Sequence, residues 1–131
     1  MPSPAYSKSK GRLWENAIVA FLDEMIAEET ERRRLSGVND KGDIAGIRNV
    51  VIEAKNERTY KIPEWIREAV REAGNARADL GVVWFRLNGK PKARDGVVVM
   101  RPQDFLMLLA KAGYVTLADV DDGPVSSSET L

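Results

Sequence analysis

From Gly11 to Ala27 apolar residues recur at helical spacing, with Trp14, Ala17, Ile18, Phe21, Leu22, Met25 and Ile26 filling one broad arc of the helical wheel. The spacing predicts a first helix. "ERRRLSGV" (31–38) follows as an edge strand, charged enough to resist pairing with another chain. "GDIAGI" and "NVVIEAK" are two short β-branched runs that read as a hairpin. Pro63 suits the first turn of a second helix running to about Ala78, with small residues at Ala69, Ala73 and Ala76 and a polar face of Arg67, Glu68, Arg71, Glu72 and Asn75. "LGVVWFRL" is apolar almost throughout, as expected of a central strand buried on both faces. A basic loop from "NGK" leads to "GVVVMR", another strand, and Pro102 opens a last helix containing Phe105, Leu106, Leu108 and Leu109. The order α-β-β-β-α-β, with a further strand and a C-terminal helix, predicts an α/β fold: one mixed sheet flanked by helices.

In a strand, successive side chains point to opposite faces, so Val51, Glu53 and Lys55 share one face and Val50, Ile52 and Ala54 the other. Asp43 can join Glu53 only on a register condition. A two-residue turn at 48 and 49 sets Asp43 opposite Ala54, on the wrong face. A three-residue loop of Ile47, Arg48 and Asn49 brings Asp43 opposite Glu53, with Asn49 tolerating the left-handed conformation the loop needs at its end. A bulge at Gly46 has the same effect. Glu15 is also out of place, because it falls inside the apolar arc of the first helix, between Leu22 and Ile26. A carboxylate there must pair with a basic side chain or coordinate a cation.

At 131 residues, 44% hydrophobic and 31% charged, the chain fits one domain, expected over 1–118 with residues 1–8 flexible and an acidic, disordered tail at 119–131. No apolar run approaches the ~20 residues of a membrane span, and the polar N-terminus lacks the core of a secretory signal, so a cytoplasmic protein is expected. The absence of histidine and cysteine excludes thiolate catalysis, Ser-His-Asp triads and zinc sites built on imidazole or thiolate. Carboxylates, lysine, hydroxyls and backbone carbonyls are left, and hard oxygen donors suit magnesium or manganese. Such a metal lowers the pKa of a bound water and offsets charge on a phosphodiester, while a lysine orients the water or offsets charge. With a net charge of zero, a polyanion must meet a local patch: Lys8, Lys10 and Arg12; Arg32, Arg33 and Arg34; or Lys90, Lys92 and Arg94.

An aspartate, a short hairpin, then E-x-K on the second strand, with a glutamate on the preceding helix, resembles the PD-(D/E)XK nuclease superfamily. Within it, "KGRLWENAIVAFLDE" and "KGDIAGIRNVVIEAKN", then a helix and "ADLGVVWFR", look like the small Holliday junction resolvases of archaea and phages. Gly42 stands where the superfamily carries its proline. The resemblance implies a restriction-endonuclease-like core, Asp43 and Glu53 as metal ligands with the Ala54 carbonyl as a third, Lys55 as the catalytic lysine, and Glu15 completing the site directly or through water. It further implies dependence on Mg2+ or Mn2+, a homodimer, and paired symmetric cuts across a four-way DNA junction, in the host cytoplasm if phage-encoded. Lys10, Arg12, Lys41, Lys90, Lys92 and Arg94 are then expected to contact DNA phosphates. The alternatives are a nuclease of the same fold acting on single strands, flaps or ends, and a non-catalytic DNA-binding protein.

Overall fold

The computed structural model describes residues 4–26, 43–44 and 47–119. The expected edge strand at 31–38, Lys41 and the tail beyond Asp119 lie outside the described residues. The described chain runs α1 (Pro4–Met25), β1 (Asp43–Ile44), β2 (Val50–Lys55), α2 (Ile62–Asn75), β3 (Leu80–Phe85), a 3-10 turn (Ala93–Asp95), β4 (Val97–Val99) and α3 (Pro102–Lys111). It is an α/β fold with one mixed sheet in the order β1-β2-β3-β4: β1 antiparallel to β2, β2 parallel to β3, and β3 antiparallel to β4. The parallel pair forces a crossover, and α2 supplies it.

The alternation of β3 sorts the two layers. Gly81, Val83 and Phe85 face α2, where Trp65, Ala69, Val83 and Phe85 form the buried core, joined by Ile62, Ile66, Leu87, Val97 and Val99. A Cβ at Gly81 would fall on the Ala69 carbonyl, so glycine sets how closely α2 approaches the sheet. Trp84 faces the other way and meets α1: the Phe21 ring stands edge-on to it at 5.9 Å, and Trp14 Nε1 donates to the Trp84 carbonyl at 3.1 Å. Trp14 and Ile18 are the buried anchors of α1.

Two expectations change. The first helix begins at Pro4, not Gly11, so residues 4–8, read as a flexible lead, are helical. Proline is well suited to opening a helix, and the first two turns need no buried stripe once nucleated from the packed part. Met25, placed in the core arc, is exposed, because the buried part of α1 centres on Trp14 and Ile18 rather than on the helix end. In α3, Phe105, Leu106 and Leu108 are exposed. The fold groups into two compact units parted between Val99 and Met100. In the second unit, Arg101 grips Asp104 through two hydrogen bonds, 3.0 and 3.2 Å, across the first turn of α3.

Candidate metal-dependent catalytic site

The register condition is met at the backbone. Asp43 pairs with Glu53 and Ile44 with Ile52. Asn49 adopts φ +65°, the left-handed conformation required at the end of a three-residue loop, and the Ile47 carbonyl accepts the Val50 N–H at 3.4 Å. The Asn49 carbonyl also accepts the N–H groups of Asp79 and Leu80, at 2.9 and 3.1 Å, so the same turn anchors the start of β3. Directly opposed residues share a sheet face. Position 43 therefore stands on the Glu53 face, which is also the face of Lys55.

Glu53 is 1% exposed, a carboxylate among the most buried side chains of the fold. In parallel register it stands beside Val83, within the layer that α2 covers. Burial of a carboxylate needs charge compensation. Lys55 Nζ lies 3.9 Å from Glu53 Oε1 and 2.9 Å from Glu68 Oε1. Glu68 is the site residue that sequence reading missed, since it was one of five polar residues on α2. Burial alone would lower the Lys55 pKa. The hydrogen bond that Lys55 donates to Glu68 and the charges of Glu68, Glu53 and Glu57 outweigh that and raise it above the usual 10.5. Lys55 is thus a fixed cation at neutral pH. It can offset anionic charge and orient a water through its N–H donors, but it has no lone pair with which to take a proton.

The Ala54 carbonyl can be placed from its neighbour. The Lys55 carbonyl accepts the Arg86 N–H at 2.9 Å and so points toward β3. Carbonyls alternate in the sheet plane along a strand, so that of Ala54 points to the β1 side, where Asp43 pairs. Among the described residues no group of three or more acidic side chains is arranged to hold a metal ion. The donor set is instead one buried carboxylate, one backbone carbonyl and the aspartate position opposite, all hard oxygens of the type that magnesium and manganese accept. These residues fit such an ion. Glu15 is half-buried on α1, in the layer across the sheet from Glu53.

Of the expected phosphate contacts, Lys10 is half-buried and Arg12, Lys90, Lys92 and Arg94 are exposed. The loop that bears the last three is held in place. Arg94 lies over the Phe21 ring at 5.7 Å, Arg86 Nε donates to the Lys90 carbonyl at 3.1 Å, and Trp84 Nε1 donates to the Ala93 carbonyl at 3.1 Å. Cations on a fixed loop lose less freedom on meeting a phosphate than cations on a loose one. No family model, no curated protein and no solved structure matches this chain.

Proposed function

We propose that the protein is a metal-dependent DNA endonuclease, with a restriction-endonuclease-like core formed by α1, β1, β2, α2 and β3. The observation that carries this reading is the pairing of Asp43 with a buried Glu53 whose face also holds Lys55. Glu53, the Ala54 carbonyl and Asp43 would hold the ion, Mg2+ or Mn2+, without the expected Glu15, whose helix packs on the opposite face of the sheet. Bound there, the ion supplies Lewis acidity toward the phosphate and a water acidified toward neutral pH. Lys55, kept charged by Glu68, offsets the negative charge that builds on the phosphorane oxygens and orients the attacking water. The half-buried and exposed cations Lys10, Arg12, Lys90, Lys92 and Arg94, with Lys41, contact phosphates and carry no base readout.

The substrate proposed is the four-way DNA junction, cut symmetrically by a homodimer, since two related cuts suit a two-fold assembly. The test is incubation with magnesium and three end-labelled DNAs: a four-way junction, its component duplex and a single strand. Paired symmetric nicks confined to the junction are expected. Equal cutting of the single strand would replace the resolvase with a nuclease of single strands or flaps, and tight junction binding without cutting would replace it with a binding protein.

A further inference from the structure

Where the parallel strands β2 and β3 end, the α1 side of the sheet opens into a cleft of about 270 Å³, lined by Tyr6, Lys10, Trp14, Asn56, Arg86 and Pro91. Asn56 and Arg86 are the first residues past the carboxyl ends of two neighbouring parallel strands. In open α/β sheets that is where ligands bind. The cleft also adjoins the catalytic strand: the Arg86 N–H donates to the Lys55 carbonyl, and Asn56 follows Lys55 in the chain. Strand alternation turns Asn56 to the face opposite Lys55, where its Nδ2 donates to the Lys10 carbonyl at 3.4 Å. Cleft and catalytic face are therefore two sides of one strand end.

The lining has a mixed chemistry. Of the two aromatic residues that line it, Trp14 is 2% exposed and Tyr6 58% exposed. Lys10 and Arg86 bring two positive charges, and no described lining residue is acidic. Arg86 is held by its Nε bond to the Lys90 carbonyl. A tyrosine ring beside two cations fits a planar ring joined to a phosphate, since aromatic side chains stack on any base and cations follow the backbone. The volume falls below the ~300–1,000 Å³ of pockets for drug-sized ligands, a size that suits one nucleotide. A paired base has both faces covered by its neighbours, so only an unpaired one can stack on Tyr6.

We propose that this cleft binds one unpaired nucleotide of the DNA strand, its base against Tyr6 and its phosphate between Lys10 and Arg86. The inference deepens the nuclease reading and rests on it for the identity of the strand. It gives the enzyme a means of choosing DNA that offers an unpaired base, as where a branch point opens, over continuous duplex without reading sequence.

The test is fluorescence anisotropy with a labelled oligothymidylate and an abasic oligonucleotide of equal length, in EDTA so that no cleavage intervenes. The wild-type chain is expected to bind the base-bearing strand about tenfold more tightly than the abasic one. Tyr6→Ala abolishes that difference, while Tyr6→Phe keeps it. Arg86→Ala weakens both strands and lowers the salt slope by about one phosphate contact. Circular dichroism of each variant establishes that it is folded. Equal wild-type affinity for the two strands, or a Tyr6→Ala chain that still distinguishes them, would overturn the proposal. Free thymidine 5′-monophosphate binding as tightly as the oligonucleotide would also overturn it, in favour of a mononucleotide site. The two readings fail separately. Glu53→Gln is expected to retain base discrimination in EDTA, and discrimination in a chain that cuts no DNA would remove the nuclease reading and leave the cleft.

Discussion

Lys55 sits between two carboxylates, and which one governs it decides what it can do. Glu68, at 2.9 Å, is the nearer, and Glu53, at 3.9 Å, is the more buried. The raised pKa means that the folded state binds this proton more strongly than the unfolded chain does. The stability it contributes is fully present below the ordinary value of 10.5 and is lost as pH rises through the folded value, above 10.5. Glu68→Gln removes the hydrogen-bonded charge and leaves Glu53 and Glu57 alone to offset the burial of the ammonium. Because Glu68 is partly solvated, the stability change at neutral pH is expected to stay below about 1 kcal/mol. The stability lost as pH rises above 10.5 in denaturant titrations is expected to be lost at lower pH in Glu68→Gln. An unchanged alkaline limb would mean that Glu68 does not set the charge of Lys55. The E-x-K pair was legible in sequence because strand alternation alone makes its members neighbours. Glu68 was not, because only the docking of α2 on β2 selects it from the other polar residues of that helix.

At the scale of the element, α2 and α3 end in the same way with different residues. In α2 the Ala78 N–H donates to the Ala73 carbonyl and the Arg77 N–H to that of Gly74, with Arg77 at φ +56°. In α3 the Tyr114 N–H donates to Leu109 and the Gly113 N–H to Ala110, with Gly113 at φ +90°. Both are Schellman caps, and only α3 uses the glycine that the left-handed position favours. Arginine there costs about 1–2 kcal/mol, and the greater freedom of glycine in the unfolded chain offsets part of that. Arg77→Gly is therefore expected to stabilise the fold by up to about 1 kcal/mol in urea denaturation, and a destabilised variant would contradict this reading of the cap. The same backbone rule made the hairpin legible, since Asn49 marked the loop end and the loop length fixed the register of Asp43 with Glu53. The start of α1 was not legible, because residues 4–10 carry no apolar period and join the helix by propagation from a packed segment. The exposed Met25 shows the limit of a helical wheel, which gives direction around the axis but not how far along it the sheet extends.

On the scale of the whole molecule, a chain with no net charge gathers Lys10 and Arg86 at one cleft and holds the Lys90 to Arg94 loop against α1 and the sheet. Affinity for DNA is then expected to fall steeply with salt, in proportion to the few phosphates these groups meet. No helix among the described residues is long and apolar enough to cross a membrane. The class of fold was legible because each run of residues agreed with the period of its element, and the mixed sheet followed from their order. The cleft was not, because Tyr6, Asn56 and Arg86 are far apart in the chain and meet only when α1 lies across the ends of β2 and β3. The central claim, that the Asp43 and Glu53 pair makes a metal-dependent phosphodiesterase, is tested most directly by cleavage of a labelled four-way junction with and without magnesium, for the wild-type chain and Glu53→Gln. Cutting by the wild-type chain is expected to require the metal, and to fall by about a hundredfold or more in a folded Glu53→Gln that still binds the junction. Undiminished cutting by Glu53→Gln, or cutting that persists in EDTA, would contradict that claim.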